Sequence, residues 1–133
     1  MILKFYELNK IPRNINYILF YGKNEGQKKD IIESFTLGNK NKKILKYEER
    51  EIVDQKEIFF NSILTGSLFD DGKIIIINRV TDKILNLIEE IITRDIDNIK
   101  IILNSENLEK KSKLRSYFEK EKKCICSAFY PDS

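Results

Sequence analysis

Gly22-Lys23-Asn24-Glu25-Gly26-Gln27-Lys28-Lys29 is the stretch whose residue types and spacing come closest to chemistry on a phosphate. It follows an apolar run, YILF at 17–20, and precedes an amphipathic segment. Strand, glycine turn and helix is the setting in which backbone N–H groups and a helix N-terminus cradle an anion. Laid on G-x-x-x-x-G-K-[ST] from Gly22, Lys28 takes the lysine position, but Gln27 replaces the second glycine and Lys29 replaces the hydroxyl that would hold Mg²⁺. The backbone cannot wrap a β-phosphate as closely, and the metal loses a ligand. A second requirement fails independently. The acidic residue that positions Mg²⁺ in such folds ends a buried strand, whereas IIII at 74–77 runs into Asn78 and Arg79. The expectation is a degenerate, non-functional phosphate loop at Gly22, Gln27, Lys28 and Lys29, with no cofactor, no metal and no catalytic residue. The alternative is a divergent P-loop nucleotide-binding protein that still uses Lys28.

Three other constellations have simple structural readings. Cys124 and Cys126 stand two apart on an expected strand and face the same side. With no histidine and no further cysteine in the chain, they read as small apolar residues under a helix rather than as a metal or redox pair. In residues 109–123, Lys110, Lys111, Lys113 and Arg115 could touch phosphates. The interleaved Glu109, Glu119 and Glu121 favour a solvated helix face with i,i+4 pairs. Asp70 and Asp71 precede Gly72 and read as turn formers rather than as catalytic carboxylates. The same stretch, TGSLFDDGK at 65–73, poses a harder question, because Leu68 and Phe69 sit between Gly66 and that turn. They either fold back into the core or are held out for a partner; spacing alone leaves both open, with burial slightly ahead.

The elements that must position these groups follow from the apolar pattern. YILF at 17–20, IIII at 74–77 and IKIIL at 99–103 are short β-rich runs without alternation, as in parallel strands covered on both faces. KKILKY at 42–47 is more polar and reads as an edge strand, and CICSAFY at 124–130 completes the set. Helices fill the gaps. One spans 24–37 behind Asn24, with Ile31, Ile32 and Phe35 on one face. The next starts at Asp54 and carries Ile58, Phe59, Ile63 and Leu64. A third covers 82–93 and a fourth 108–122, with Leu114, Tyr117 and Phe118 inward. The pattern predicts an α/β domain with a mostly parallel five-stranded sheet between helical layers. A chain of 133 residues fits one domain, and a formal charge of +3 is too small to require a nucleic-acid partner. The absence of histidine removes His-based acid–base chemistry and most zinc sites. No stretch reaches the roughly 18 apolar residues that span a bilayer, the opening MILKFYELNK meets charge too early for a secretory signal, and two cysteines make no disulfide framework. A cytoplasmic protein is expected.

In their order and spacing, ILKFYELNK, ILFYGKNEG, SLFDDGKIIII, the KIIL strand, KKSKLR and the closing CSAFYPD resemble the N-terminal domain of the delta subunit of the bacterial DNA polymerase III clamp loader. The resemblance implies a three-layer AAA+/RecA-like domain that has lost ATP binding, in keeping with the two losses above. It implies a non-enzymatic component of the DNA polymerase III holoenzyme that grips the sliding clamp and helps open the ring while other loader subunits hydrolyse ATP. The gripping element it implies is Ser67-Leu68-Phe69, with Thr65, Asp70 and Asp71 as possible flanks. Gly66 stands where some members have a further large apolar residue. The implied partners are the sliding clamp (beta subunit) and, in the full-length protein, other clamp-loader subunits. DNA would be touched weakly or indirectly, and no membrane is involved. Residues 1–130 would then be the first domain of a longer subunit, and 131–133 the start of a linker to a second one.

Overall fold

A computed structural model describes residues 1–12, 14–64 and 72–131. Five strands form one sheet: β1 (Tyr17–Tyr21), β2 (Lys43–Glu48), β3 (Lys73–Asn78), β4 (Ile99–Asn104) and β5 (Cys124–Ala128), in the order β2-β3-β4-β1-β5. Every pairing is parallel, with Leu19 opposite Leu103 on one side and Cys126 on the other. Parallel neighbours need crossovers, and helices supply them. These are α1 (Glu25–Leu37), α2 (Glu49–Val53), α3 (Lys56–Leu64), α4 (Leu85–Arg94) and α5 (Lys113–Lys120).

The pleat sorts each strand's residues into two cores. Tyr17, Leu19, Ile75, Ile77, Ile101, Leu103 and both cysteines face α2 to α5. Ile18, Phe20, Ile74, Ile76, Ile102 and Ile125 face α1 and a short 3₁₀ helix at Phe5–Lys10. Burial on both faces explains why these strands read as unbroken apolar runs. β2 lies at one edge with only intermediate and exposed residues, as its lysines required. The result is the three-layer α/β domain expected from the sequence.

Several boundaries differ from expectation, among them the start of α4, where a 3₁₀ turn at Asp82–Ile84 precedes Leu85. Asp54 does not start a helix; it caps the C-terminus of α2, a five-residue helix that the pattern did not show. The following helix begins at Lys56 and buries Phe59, Phe60 and Ile63, leaving Ile58 and Leu64 on the surface at 64% and 50% exposure. The two-residue offset between α2 and α3 rotates the inward face, so Phe60 takes the core position assigned to Ile58. The last helix begins at Lys113 rather than 108, because Ser112 accepts from the Arg115 N–H and stops the helix there. The fifth strand likewise ends at Ala128, short of Tyr130.

Candidate functional site

The turn after β1 is built on glycine and asparagine. Gly22 has φ +119°, and a Cβ there would lie 2.1 Å from the Phe129 carbonyl oxygen, so only glycine fits. Asn24 caps α1 by accepting from the Gln27 N–H at 3.1 Å, and its own N–H donates to the Phe129 carbonyl at 3.1 Å. Gln27 is half-buried and Lys29 is exposed. Lys28 is fully buried. Its Nζ donates to the Ser105 carbonyl at 2.7 Å and to Glu25 Oε1 at 2.8 Å.

Ser105 ties this corner together. Its N–H donates to the Phe20 carbonyl and its Oγ to the Val80 carbonyl, each at 2.9 Å. The exits of β1, β3 and β4 are thereby joined, and Lys28 adds α1 to them. Beside it lies a hollow of about 460 Å³ lined by Glu25, Glu48, Asn78, Arg79, Asn104 and Glu106. Asn104 donates to Asn78 Oδ1 at 3.1 Å, and Arg79, held at φ 55°, pairs with Glu48 at 2.9 Å. Three carboxylates against one guanidinium give this hollow the wrong sign for a run of phosphates. Among the described residues, no group of three or more acidic, cysteine or histidine side chains could hold a metal ion.

At the opposite edge of the sheet, where the strands begin, the described residues bracket the Leu-Phe stretch. Thr65, Ser67, Leu68, Phe69, Asp70 and Asp71 themselves lie outside the described residues. Gly72, with φ +129°, sits so close to the Asn98 carbonyl oxygen that a Cβ would approach it to 2.8 Å. Its carbonyl accepts from the Lys43 N–H at 3.0 Å, and the Lys73 N–H donates to the Asn98 carbonyl at 2.8 Å. The Lys73 ammonium reaches back to the Ser62 carbonyl in the last turns of α3 at 2.7 Å. Helix exit and strand entry are thus pinned to each other and to the sheet.

The remaining candidates take structural roles. Cys124 and Cys126 are free and buried against α5, and burial pushes both thiols up to about 12. Arg115, expected on a solvated helix face with phosphate contact as the alternative, is turned inward. It pairs with Glu119 at 3.3 Å, donates to the Leu108 carbonyl at 2.9 Å and lies 4.9 Å from the centre of the Tyr21 ring. Lys110, Lys111 and Lys113 remain exposed, and of these Lys111 pairs with Glu109 at 3.3 Å. Sequence reading missed Asp82. Its carboxylate accepts from the Lys113 and Leu114 N–H groups and from Ser112 Oγ, capping α5 from another element, and the Ser112 bond leads in holding its pKa below the usual value. Only its position just after a strand could have signalled this, since its partners lie thirty residues on.

The layered parallel sheet, with a glycine turn and an inward-turned lysine after its first strand, defines a three-layer α/β domain in which that lysine serves the domain's own framework. A model of the family described as DNA polymerase III, delta subunit, matches residues 18–129. The chain belongs to that family, the delta subunits of the replicative clamp loader. Delta subunits are not themselves catalytic, and membership implies association with the sliding clamp and with other clamp-loader subunits. No curated protein matches the chain. No helix among the described residues is long and apolar enough to cross a membrane.

Proposed function

We propose that this domain binds the sliding clamp through Ser67-Leu68-Phe69 and helps open the ring during DNA replication, without hydrolysing ATP itself. The observation that carries the reading is the delta-subunit match, which runs through the whole of this segment. The pinned bracket of Ser62, Gly72 and Lys73 supports it, because a rigid base lowers the ordering cost of presenting two apolar side chains. Thr65, Asp70 and Asp71 flank the contact. The nucleotide-binding alternative is disfavoured by Lys28, whose ammonium is already spent on Ser105 and Glu25, and by the carboxylates of the neighbouring hollow. A nucleotide would have to break a buried hydrogen bond to recruit it.

The test is a titration of the cognate clamp. Burying each side chain contributes about 1.5–3 kcal/mol, so Leu68→Ala with Phe69→Ala should weaken binding by roughly a hundredfold or more. Unchanged affinity would sink the assignment of the site. Calorimetry of the same chain with Mg²⁺ and ATP should give no binding heat; a saturable isotherm lost in Lys28→Ala would favour the nucleotide reading.

A further inference from the structure

The ammonium of Met1 is set among three backbone carbonyls beside α5. It donates to Cys124 at 2.8 Å, to Phe118 at 3.0 Å and, in a longer and exposed bond, to Glu121 at 3.4 Å. An ammonium has three N–H groups, and each finds an acceptor here. The Phe118 carbonyl belongs to the last turn of α5, whose acceptors the helix cannot satisfy itself, and Glu121 is the C-cap of that helix. A cation at this position also meets the negative end of the helix dipole. The same nitrogen anchors a short segment. The Met1 carbonyl accepts from the Cys126 N–H at 2.9 Å, and the Leu3 N–H donates to the Cys126 carbonyl at 3.0 Å, so residues 1–3 cover the free edge of β5. Their side chains contribute little burial, since Met1 and Ile2 are 44% and 61% exposed. The attachment rests on main-chain bonds, and the ammonium makes three of them.

We infer that the C-terminal end of α5 is a seat for an unmodified α-ammonium, and that an acyl group on Met1, above all the formyl group with which bacterial synthesis starts a chain, keeps residues 1–3 off the edge of β5. An acyl carbon bonds the nitrogen at about 1.33 Å and takes the direction of one N–H. A carbonyl oxygen already stands in each of those directions. The acylated nitrogen keeps a single N–H, loses its charge and brings a further carbonyl oxygen among three others. Hydrolysis restores the seat: water attacks the formyl carbon, the C–N bond breaks, formate leaves and the amine takes up a proton. A residue placed ahead of Met1 acts as the acyl group does, because it too makes this nitrogen an amide. The domain thus closes its sheet edge after deformylation, and until then β5 presents unpaired N–H and C=O groups to other chains.

The experiment compares amide hydrogen exchange, read by NMR, in the full chain with a free amine and in the same chain formylated by expression with the deformylase inhibited. Mass spectrometry establishes the state of each. Formylation should speed exchange at Leu3 and Cys126 by roughly tenfold or more, and leave Ile75 and Ile101 in the centre of the sheet within about twofold. A chain carrying one glycine ahead of Met1, which makes the same nitrogen an amide without a formyl group, should repeat the pattern. The inference is overturned if Leu3 and Cys126 exchange equally slowly in the free and formylated chains. It is overturned as well if the central strands lose as much protection as the edge, or if the glycine-extended chain keeps the edge protected.

Discussion

Lys28 falls on the lysine position when the turn after β1 is laid on a phosphate-loop pattern, yet its ammonium is turned into the protein. In a working phosphate loop the lysine must point at a ligand, and its charge is balanced only when the ligand is bound. Here the ammonium is fully buried and satisfied by the Ser105 carbonyl, with Glu25 at the rim. The two contacts are unequal. Glu25 is 61% exposed, so its ion pair is screened and contributes less than about 1 kcal/mol. The bond to Ser105 is buried, and losing it strands the carbonyl of a residue whose N–H and Oγ already join three strand ends. Lys28→Met, which keeps most of the volume, should therefore destabilise the domain by about 1–3 kcal/mol, whereas Glu25→Gln should cost under about 1 kcal/mol. Urea unfolding of the two variants checks this, and a larger effect from Glu25→Gln would reverse the assignment.

At the scale of elements, α5 is held by a residue that does not belong to it. Asp82 lies between β3 and α4, yet its carboxylate receives the first two N–H groups of α5. A carboxylate at a helix N-terminus also meets the positive end of the helix dipole. Asp82→Ala should cost about 1–2 kcal/mol near neutral pH. Because folding lowers this pKa, the contribution is full above the ordinary value of 3.8 and disappears as pH falls through the lower folded value. Stability curves of parent and variant should accordingly converge in acid and stay apart from about pH 5 upward. The order of strands and helices was legible in the sequence because doubly buried strands leave dense apolar runs and α4 shows its stripe of Leu87, Ile88, Ile91 and Ile92. The α2–α3 break was not, because Asp54 and Gln55 read equally well as a helix start and as an offset between two helices. Nor was the Asp82 cap, since contacts across thirty residues leave no periodic trace. At the candidate site, the departures of Gln27, Lys29 and Asn78 from a phosphate-loop pattern are visible in the sequence, but where Lys28 would point depends on the loop after β4 and could only come from the fold.

Over the whole molecule, β5 is the strand on which distant parts of the chain converge. It pairs with β1 along its full length, packs under α5, and on its free edge takes the N-terminal residues through Ile2 opposite Cys126. The Leu3 N–H donates to the Cys126 carbonyl at 3.0 Å, and the Cys126 N–H donates to the Met1 carbonyl at 2.9 Å. The two thiols therefore become accessible only when α5, β1 and the N-terminal residues separate from this strand, which amounts to loss of the sheet. Their raised pKa adds a chemical barrier: at pH 8 a thiol of pKa about 12 is ionised in only roughly one molecule in ten thousand. An aromatic disulfide reagent such as DTNB should find no reactive thiol in the native domain and two after denaturation. In intermediate urea, the fraction labelled by a short pulse should follow the fraction unfolded measured by circular dichroism. Rapid labelling of either cysteine without urea would mean that β5 opens locally, and would separate this edge of the sheet from the cooperative core.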